Sequence, residues 1–564
     1  MRFLSVIAGL TLLISACDSQ HRRRENKSDV ATAELLKKHV SVLAHDSLEG
    51  RLTGTIHEKK AANYIANQFK EIGLIYAPEF DGYFREFSFN TPFKLGENNL
   101  LEFMGEPLEL ENDWYPVPLG SSGELKGDVV NVAYGIKAQD LNFNNYSADD
   151  YSGKILLINL ESPDGHHPHS KFKDYNSWRK RVEMAVAHNP SGIILHHSSE
   201  NLGIEAMKGM THIAREEMPI IHVSDSLAEI LMGKEVRING LIDLQQEEKQ
   251  GINVLGYINN NAGKTVVVGA HYDHLGHGEY GNSREPNSTD IHNGADDNAS
   301  GTATIIELAR EVKIRGLKGN NYLFIAFSGE ELGLIGSSAF CKTTGFDKLN
   351  ISYMLNFDMV GRLKADSGIN EIAITGTGTS PVWDSMITNY KMADVKVNTT
   401  SSGLGSSDHS SFYLEGIPAI HFFTGSHEDY HKPSDDTEKI NFEGMEVVFN
   451  YAMNLLAELD NDSKLTFTKT QDKSTRSYSK LKVTLGIMPS YISNDEGLLI
   501  EAVTDGKPAQ AAGIQRDDLI VRIGSHIVKD MGSYMEALMH FDKGDNTEVE
   551  VVRNGENVVL KVQF

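Results

Sequence analysis

The sequence predicts an α/β protein: a mostly parallel central sheet flanked by helices, a β-rich insert within it, and a further β-rich domain at the C-terminal end. Three observations predict this. From Thr265 to Phe423 short apolar runs alternate with helical patterns, from about Glu106 to Gln246 only short β-like runs follow one another, and the polar stretch Lys464 to Ser479 sets off a last group of strands. A chain of 564 residues, 40% of them hydrophobic, is long enough for several domains with cores of their own.

Near its start the chain has Arg2, an apolar run from Phe3 to Ile14, and Ser15-Ala16 before Cys17. Residues 1–16 are too short to span a bilayer and read as an export signal. Small residues just before a single cysteine resemble the bacterial lipoprotein signal, in which Cys17 becomes the lipidated N-terminus of the mature chain. An ordinary cleaved secretion signal is the alternative. Residues 17–30 are polar and charged and read as a tether, whose Arg22, Arg23 and Arg24 can reach anionic headgroups. The expected location is the bacterial cell envelope, with the membrane anchor at Cys17. Only Cys341 remains after it, so no internal disulfide is expected.

Folded sequence starts near Ala31. Ala61, Tyr64, Ile65, Phe69 and Ile72 fall at helical spacing within Ile56 to Ile72, and Gly73 is a stop signal. In the insert, Val129 to Val132, Ile155 to Ile158, Gly192 to Leu195 and Ile220 to Val223 read as strands. The turn-rich Pro163 to His169, with His166, His167 and His169, reads as an exposed loop, an adventitious metal site being the alternative. In the central sheet, Thr265 to Val268, Tyr322 to Phe327, Tyr353 to Leu355, Ile372 to Thr375 and Ala419 to Phe423 suit buried parallel strands. Between the first two, Asp297, Asn298 and Ser300 offer N-caps to a helix whose Ile305, Ile306, Leu308, Ala309 and Val312 make one apolar face. In the last domain, Leu481 to Ile487, Leu498 to Val503, Leu519 to Ile523, Thr547 to Val552 and Asn557 to Val562 read as strands, with Asn554-Gly555 turning the final hairpin.

Lys and Arg total 53 against 78 Asp and Glu, a formal charge of −25, which argues against nucleic acid as a partner. Such a surface favours solubility and draws cationic groups such as peptide amines. Chemistry concentrates in five segments that follow apolar runs: Gly269-Ala-His271-Tyr-Asp273, Gly294-Ala-Asp296-Asp297-Asn298, Gly329-Glu330-Glu331, Asn356-Phe-Asp358 and Tyr430-His431. Each alone has a structural explanation, such as a helix cap or a satisfied polar contact. Together they supply what a two-metal site needs: a bridging carboxylate, terminal His and carboxylate ligands, and one carboxylate left to handle a proton. Asp273 stands two residues after His271 and can orient its ring; His274 and His277 suit a supporting or loop role. Adjacent glutamates at 330 and 331 repel each other unless cations are present, so one can ligate while the other acts as base. In open α/β sheets such sites lie beyond the carboxyl ends of the strands.

Two other motifs compete. His427-Glu428-Asp429-Tyr430-His431 satisfies H-E-x-x-H, which works only on a helix, whereas Gly425 and Pro433 point to a loop. Ser407, Asp408 and His409 hold the residue types of a nucleophilic triad, but as sequence neighbours without a nucleophile elbow.

The five segments, in this order and glycine context, resemble peptidase family M28, the co-catalytic zinc aminopeptidases. The resemblance covers residues 31–105 and 250–460. It implies a zinc-exopeptidase fold and two Zn²⁺ per chain, although cobalt or manganese suits the same ligands. It implies His271 and Asp358 on one ion, Glu331 and His431 on the other, and Asp297 bridging them. Glu330 would be the general base, Asp273 would orient His271, and Tyr430 would stabilise the oxyanion. Residues 106–249 resemble a protease-associated domain, residues 461–479 a linker, and residues 480–564 a PDZ domain. There Leu485-Gly486-Ile487 would form the loop that captures a peptide C-terminus, a structural cap being the other reading. The function implied is release of N-terminal residues from peptides. A carboxypeptidase or dipeptidase on the same scaffold, or an inactive receptor-like binding protein, is the alternative.

Overall fold

The structure, a computed structural model, describes residues 31–564 apart from 166–169, 173–174, 199–201, 204–215, 234–235, 344, 367–368, 390–391, 393–394, 471–482, 490–496, 504–506 and 529–530. The segments read as export signal and tether, with Cys17, and the histidines at 166, 167 and 169 thus lie outside the described residues. Among the described residues no helix is long and apolar enough to cross a membrane.

Strands β1 (Phe84–Asn90), β2 (Glu248–Ile258), β3 (Thr265–His271), β4 (Asn321–Phe327), β5 (Ile351–Phe357), β6 (Ala365–Asp366), β7 (Ile369–Thr375), β8 (Val395–Thr400) and β9 (Ala419–Phe423) form one sheet. Its order is β1-β2-β4-β3-β5-β9-β7-β6, with β8 beside β7. The central strands β4, β3, β5 and β9 are parallel, and every residue of each is buried, as a sheet covered on both faces requires. The margins differ from expectation. β7 runs antiparallel to β9, and β2 runs antiparallel to β4 and β1, so parallel pairing is confined to the centre and to the β7–β8 margin.

Helices cover both faces. On one, α1 (Thr32–Leu43), α2 (Ile56–Ile72), α3 (Gly301–Arg315) and α6 (Phe442–Glu458) bury Leu36, Phe69, Ile305 and Leu456 against Val266, Phe324 and Leu355. On the other, the short helices α4 (Ile335–Cys341) and α5 (His409–Leu414) bring Phe340 and Phe412 onto Phe327 and Met354. At roughly 1.5–3 kcal/mol for each large apolar side chain removed from water, these two layers dominate the fold's stability. The expected helix Ile56–Ile72 forms as read: the Thr55 hydroxyl accepts from Glu58 N, and Gly73, at φ 83°, ends it with Leu74 N donating to Phe69 O. Of the three expected caps at the start of α3, Asn298 is the one whose side chain accepts from the helix start. The Asn298 side-chain oxygen accepts from Gly301 N at 2.9 Å, while Ser300 is already helical and Asp297 turns elsewhere.

The insert forms an eight-stranded mixed sheet in the order Glu106–Pro107, Leu100–Phe103, Arg237–Ile242, Gly123–Asn131, Lys154–Asn159, Gly192–His196, Ile220–Val223, Trp114–Pro116. Pairing therefore continues upstream of residue 106, because Leu100–Phe103 joins it through Arg237–Ile242. Two helices, Trp178–Val186 and Asp225–Leu231, pack on it. Residues 461–470 carry neither helix nor strand, yet Leu465 is buried in the core beside the central sheet and its N–H donates to the Ser352 hydroxyl.

In the last domain the strands Ile487–Pro489, Leu498–Val503, Leu519–Ile523, His526–Ile527, Asn546–Arg553 and Glu556–Gln563 surround a core of their own with helices Pro508–Ala512 and Met531–Leu538. The first expected strand begins at Ile487, since Val483 to Gly486 carry no strand. Asn554 and Gly555, at φ 52° and 83°, turn the final hairpin with Arg553 opposite Glu556.

Candidate metal centre

All five segments arrive at the carboxyl ends of β3, β4, β5 and β9, where parallel strands aim their terminal residues at one crevice. His271 is the last residue of β3, Glu330 and Glu331 follow β4, Asp358 follows β5, and Tyr430 and His431 lie in the turn-rich loop after β9. Asp297 comes from the irregular turn before α3, opened by Gly294 at φ 56°. A Cβ at Gly294 would stand 2.1 Å from the Asp297 carbonyl oxygen, so only glycine fits there.

The donor atoms form two groups that share Asp297. His271 Nε2 lies 3.3 Å from Asp297 Oδ1 and 3.2 Å from Asp358 Oδ1. His431 Nε2 lies 3.2 Å from Asp297 Oδ2 and 3.1 Å from Glu331 Oε2. His274, fully buried, adds a ring nitrogen 2.8 Å from Glu331 Oε1 and 3.9 Å from Asp297 Oδ2. Glu330 Oε2 stands farther off, 4.0 Å from His271 Nε2. Asp273 lies behind His271: its Oδ1 is 3.6 Å from the ring's Nδ1 and accepts from Glu330 N, and its Oδ2 accepts from the Thr53 hydroxyl. The Tyr430 ring stacks on His431 at 3.8 Å between centroids, with the Arg284 guanidinium over it. His277 is tied to its own loop through Thr289 O.

The two competing motifs separate. His427 and His431 share no helix; His427 Nε2 meets Asp296 Oδ2 at 3.1 Å, in a different pair from His431. The Ser407 hydroxyl accepts from Asn356 Nδ2, while His409 is buried in a stack on His421, and burial lowers the pKa of both rings.

The electrostatics are those of a cavity that attracts cations. Burial disfavours a charged His271, but the Asp358 and Glu330 carboxylates outweigh it and hold its pKa well above the usual value. Burial likewise opposes protonation of His431, yet Glu331 and Asp297 push it up to about 10. Glu331 falls to about 2 because the charge of His431 overcomes burial. Glu330 moves the other way. Burial, followed by repulsion from Asp358, Glu331 and Asp408, outweighs His271 and raises it well above the carboxylate range. Neighbouring carboxyls driven apart in this way mark sites where acid and base roles divide.

Supporting residues outside the five segments hold this geometry. The buried Arg51 guanidinium donates to the carbonyls of Leu43, Tyr272, Asn293 and Gly294, fixing the end of β3 against the Asp297 turn. Asp435 Oδ2 accepts from both Asp296 N and Asp297 N, at 2.9 and 3.1 Å. Thr302 donates to His271 O. Sequence reading missed Arg51, Thr53 and Asp435 and assigned His274 no particular contact. The available signals were slight: an Arg and a Thr between Gly50 and Gly54, and an acidic pair, Asp435-Asp436, shortly after Pro433.

With this geometry in view, the likenesses to known proteins become informative. Residues 253–456 match the model of Peptidase family M28, and residues 483–564 match that of a PDZ domain. The chain carries a peptidase family M28 domain and a C-terminal PDZ domain. It is 25% identical to aminopeptidase YwaD of Bacillus subtilis over 409 residues, 71% of this chain and 79% of that one. It is 24% identical to the probable lipoprotein aminopeptidase LpqL of Mycobacterium tuberculosis over 422 residues, 72% and 75% of the two chains. Among solved structures it is similar to BSAP, a zinc aminopeptidase from Bacillus subtilis, with a TM-score of 0.46 and 22% identity over 78% of this chain and 97% of that one. The M28 match spans β3, β4, β5 and β9, the strands that deliver every donor described above.

Proposed function

We propose that the M28 domain is a two-zinc aminopeptidase that removes N-terminal residues from peptides. The observation that carries this reading is Asp297, whose two oxygens face two different histidines and so offer one ligand to each of two ions. The donor set fits zinc. Imidazole nitrogens and carboxylate oxygens are its usual ligands, and tetrahedral bonds of about 2.0–2.1 Å space neighbouring ligand atoms by about 3.4 Å, close to the separations seen here. In this reading His271 and Asp358 would hold one ion, Glu331 and His431 the other, and Asp297 would serve both. His274 steadies Glu331. When bound, zinc supplies Lewis acidity that polarises a peptide carbonyl and makes water acidic enough to react near neutral pH.

The chain's own residues do the rest. Glu330, the carboxylate with the loosest hold on the donor groups, takes the proton of the attacking water and returns it to the leaving amine. Asp273 fixes the ring of His271 and, through Glu330 N, the position of the base. Tyr430, held by stacking on His431, hydrogen-bonds the oxyanion that develops from the carbonyl. The names of the relatives, both aminopeptidases over most of their length, support attack at the amino terminus rather than the carboxyl terminus. Peptides blocked at one end or the other test this: loss of hydrolysis on blocking the amine is expected, and loss only on blocking the carboxyl end contradicts it.

The same proposal assigns residues 106–249 to a protease-associated-like insert, residues 480–564 to the PDZ domain, and Cys17 to lipid anchoring in the cell envelope; the likeness to LpqL, named a probable lipoprotein aminopeptidase, supports an anchored form. Leu485, Gly486 and Ile487 are the PDZ residues proposed to receive a peptide C-terminus. Fractionation of a Cys17→Ser variant tests the anchor: release into the soluble fraction is expected, and unchanged membrane association would overturn it.

A further inference from the structure

The insert carries a second group of metal-type donors on a different sheet. His196 ends the strand Gly192–His196, His197 follows it at φ 53°, and Asp225 opens the helix Asp225–Leu231. The strands Gly192–His196 and Ile220–Val223 are parallel, with Leu195 opposite His222, so their carboxyl ends emerge side by side and bring the start of that helix next to the two histidines. Asp225 Oδ1 lies 3.0 Å from His197 Nδ1 and accepts from His197 N at 3.2 Å. One ligand atom from each of His196, His197 and Asp225 falls within 4.8 Å of the others.

Ordinary helix-start chemistry accounts for part of this. Ser224 caps Leu227 N, and Asp225 pairs with His197 as acids do near a helix N-terminus. It leaves His196 unexplained. That side chain is fully buried, and among the described residues neither of its ring nitrogens has a hydrogen-bond partner. A buried imidazole without a partner is costly, and a bound ion would satisfy it.

We propose that His196, His197 and Asp225 hold one divalent transition-metal ion of the zinc class, which clips the end of the strand Gly192–His196 to the start of the helix Asp225–Leu231. Two imidazoles and a carboxylate favour Zn²⁺ over Mg²⁺ or Ca²⁺. With Asp225 exposed and His197 partly so, water completes the coordination. The ion would stiffen the insert without entering the peptidase chemistry.

The test is a difference in metal content, which does not depend on how many ions the M28 domain binds. The full chain is stripped with chelator, reloaded with Zn²⁺, desalted and analysed for metal, alongside Asp225→Asn and His196→Ala. Both variants are expected to carry one zinc equivalent per chain fewer than the unaltered protein while hydrolysing peptides at the same rate. Equal zinc content in the unaltered protein and the Asp225→Asn variant would overturn the proposal. Asp225 is exposed, so that variant decides the matter even if His196→Ala fails to fold.

Discussion

Two acid–histidine pairs sit side by side in the M28 domain, built from neighbouring acids and from histidines four residues apart, yet they are wired differently. In the first, Asp296 Oδ2 meets His427 at 3.1 Å, while its Oδ1 accepts from Gly361 N and from the Ser300 hydroxyl. His427 in turn meets Arg362, which also pairs with Asp429. That pair is saturated with protein partners and ties the Asp297 turn to the loops after β5 and β9. In the second, the oxygens of Asp297 face histidine rings, those of His271 and His431 closely and that of His274 at 3.9 Å, and beyond those rings lie more carboxylates. Residue type and spacing therefore do not separate a structural ion pair from a metal ligand. What separates them is whether hydrogen-bond donors of the protein already use the oxygens.

The contrast can be broken by exchanging charges at equivalent positions. The largest effect is expected at Asp297: replacing it with Ala should remove the shared ligand, with zinc content falling and peptide hydrolysis lost, as metal analysis and a kinetic assay would measure. Asp296→Asn should keep the metal and cost about 1–3 kcal/mol of stability through weakened hydrogen bonds, read by denaturant unfolding. If the two variants behave alike, the distinction fails. Next in size, Glu330→Gln should retain zinc but lose hydrolysis by about 10²–10⁴-fold, the contribution expected of a general base; a fully active variant would refute that role. Asp435→Asn should lie between, at about 10–100-fold in zinc affinity or activity, because it acts on Asp297 only through backbone N–H groups. Glu428→Ala should be nearly silent, since this side chain is exposed and lies in a turn rather than on a metal-binding helix. A large loss there, with Asp358→Ala mild, would favour the H-E-x-x-H reading.

The legible part of the site was the part carried by strand ends. His271 and Asp358 stand where buried apolar runs stop, and Glu330-Glu331 is an acidic pair that makes little sense without cations. The illegible part acts across long separations through the backbone. Arg51 reaches carbonyls more than 200 residues away, and Asp435 grips N–H groups 139 and 138 residues upstream, contacts that leave no local spacing to read. His274 was visible as a residue but not as a neighbour of Glu331, since that contact depends on how the loop after β3 folds back. The same limit applies to the sheet. Buried runs such as Ile372–Ile374 look alike whether they pair parallel or antiparallel, because burial on both faces removes the alternation that would betray direction. Hairpin chemistry at Asn554-Gly555 and the Gly73 stop, by contrast, are local and were readable to the residue.

The central claim is that Asp297 bridges two ions. Anomalous diffraction at the zinc edge from crystals of the zinc-loaded protein tests it most directly. At this site the account predicts two peaks about 3.5–4 Å apart, one beside His271 and Asp358, the other beside Glu331 and His431, with Asp297 between them. A single peak at this site, or one lying between His427 and Asp296, would contradict it.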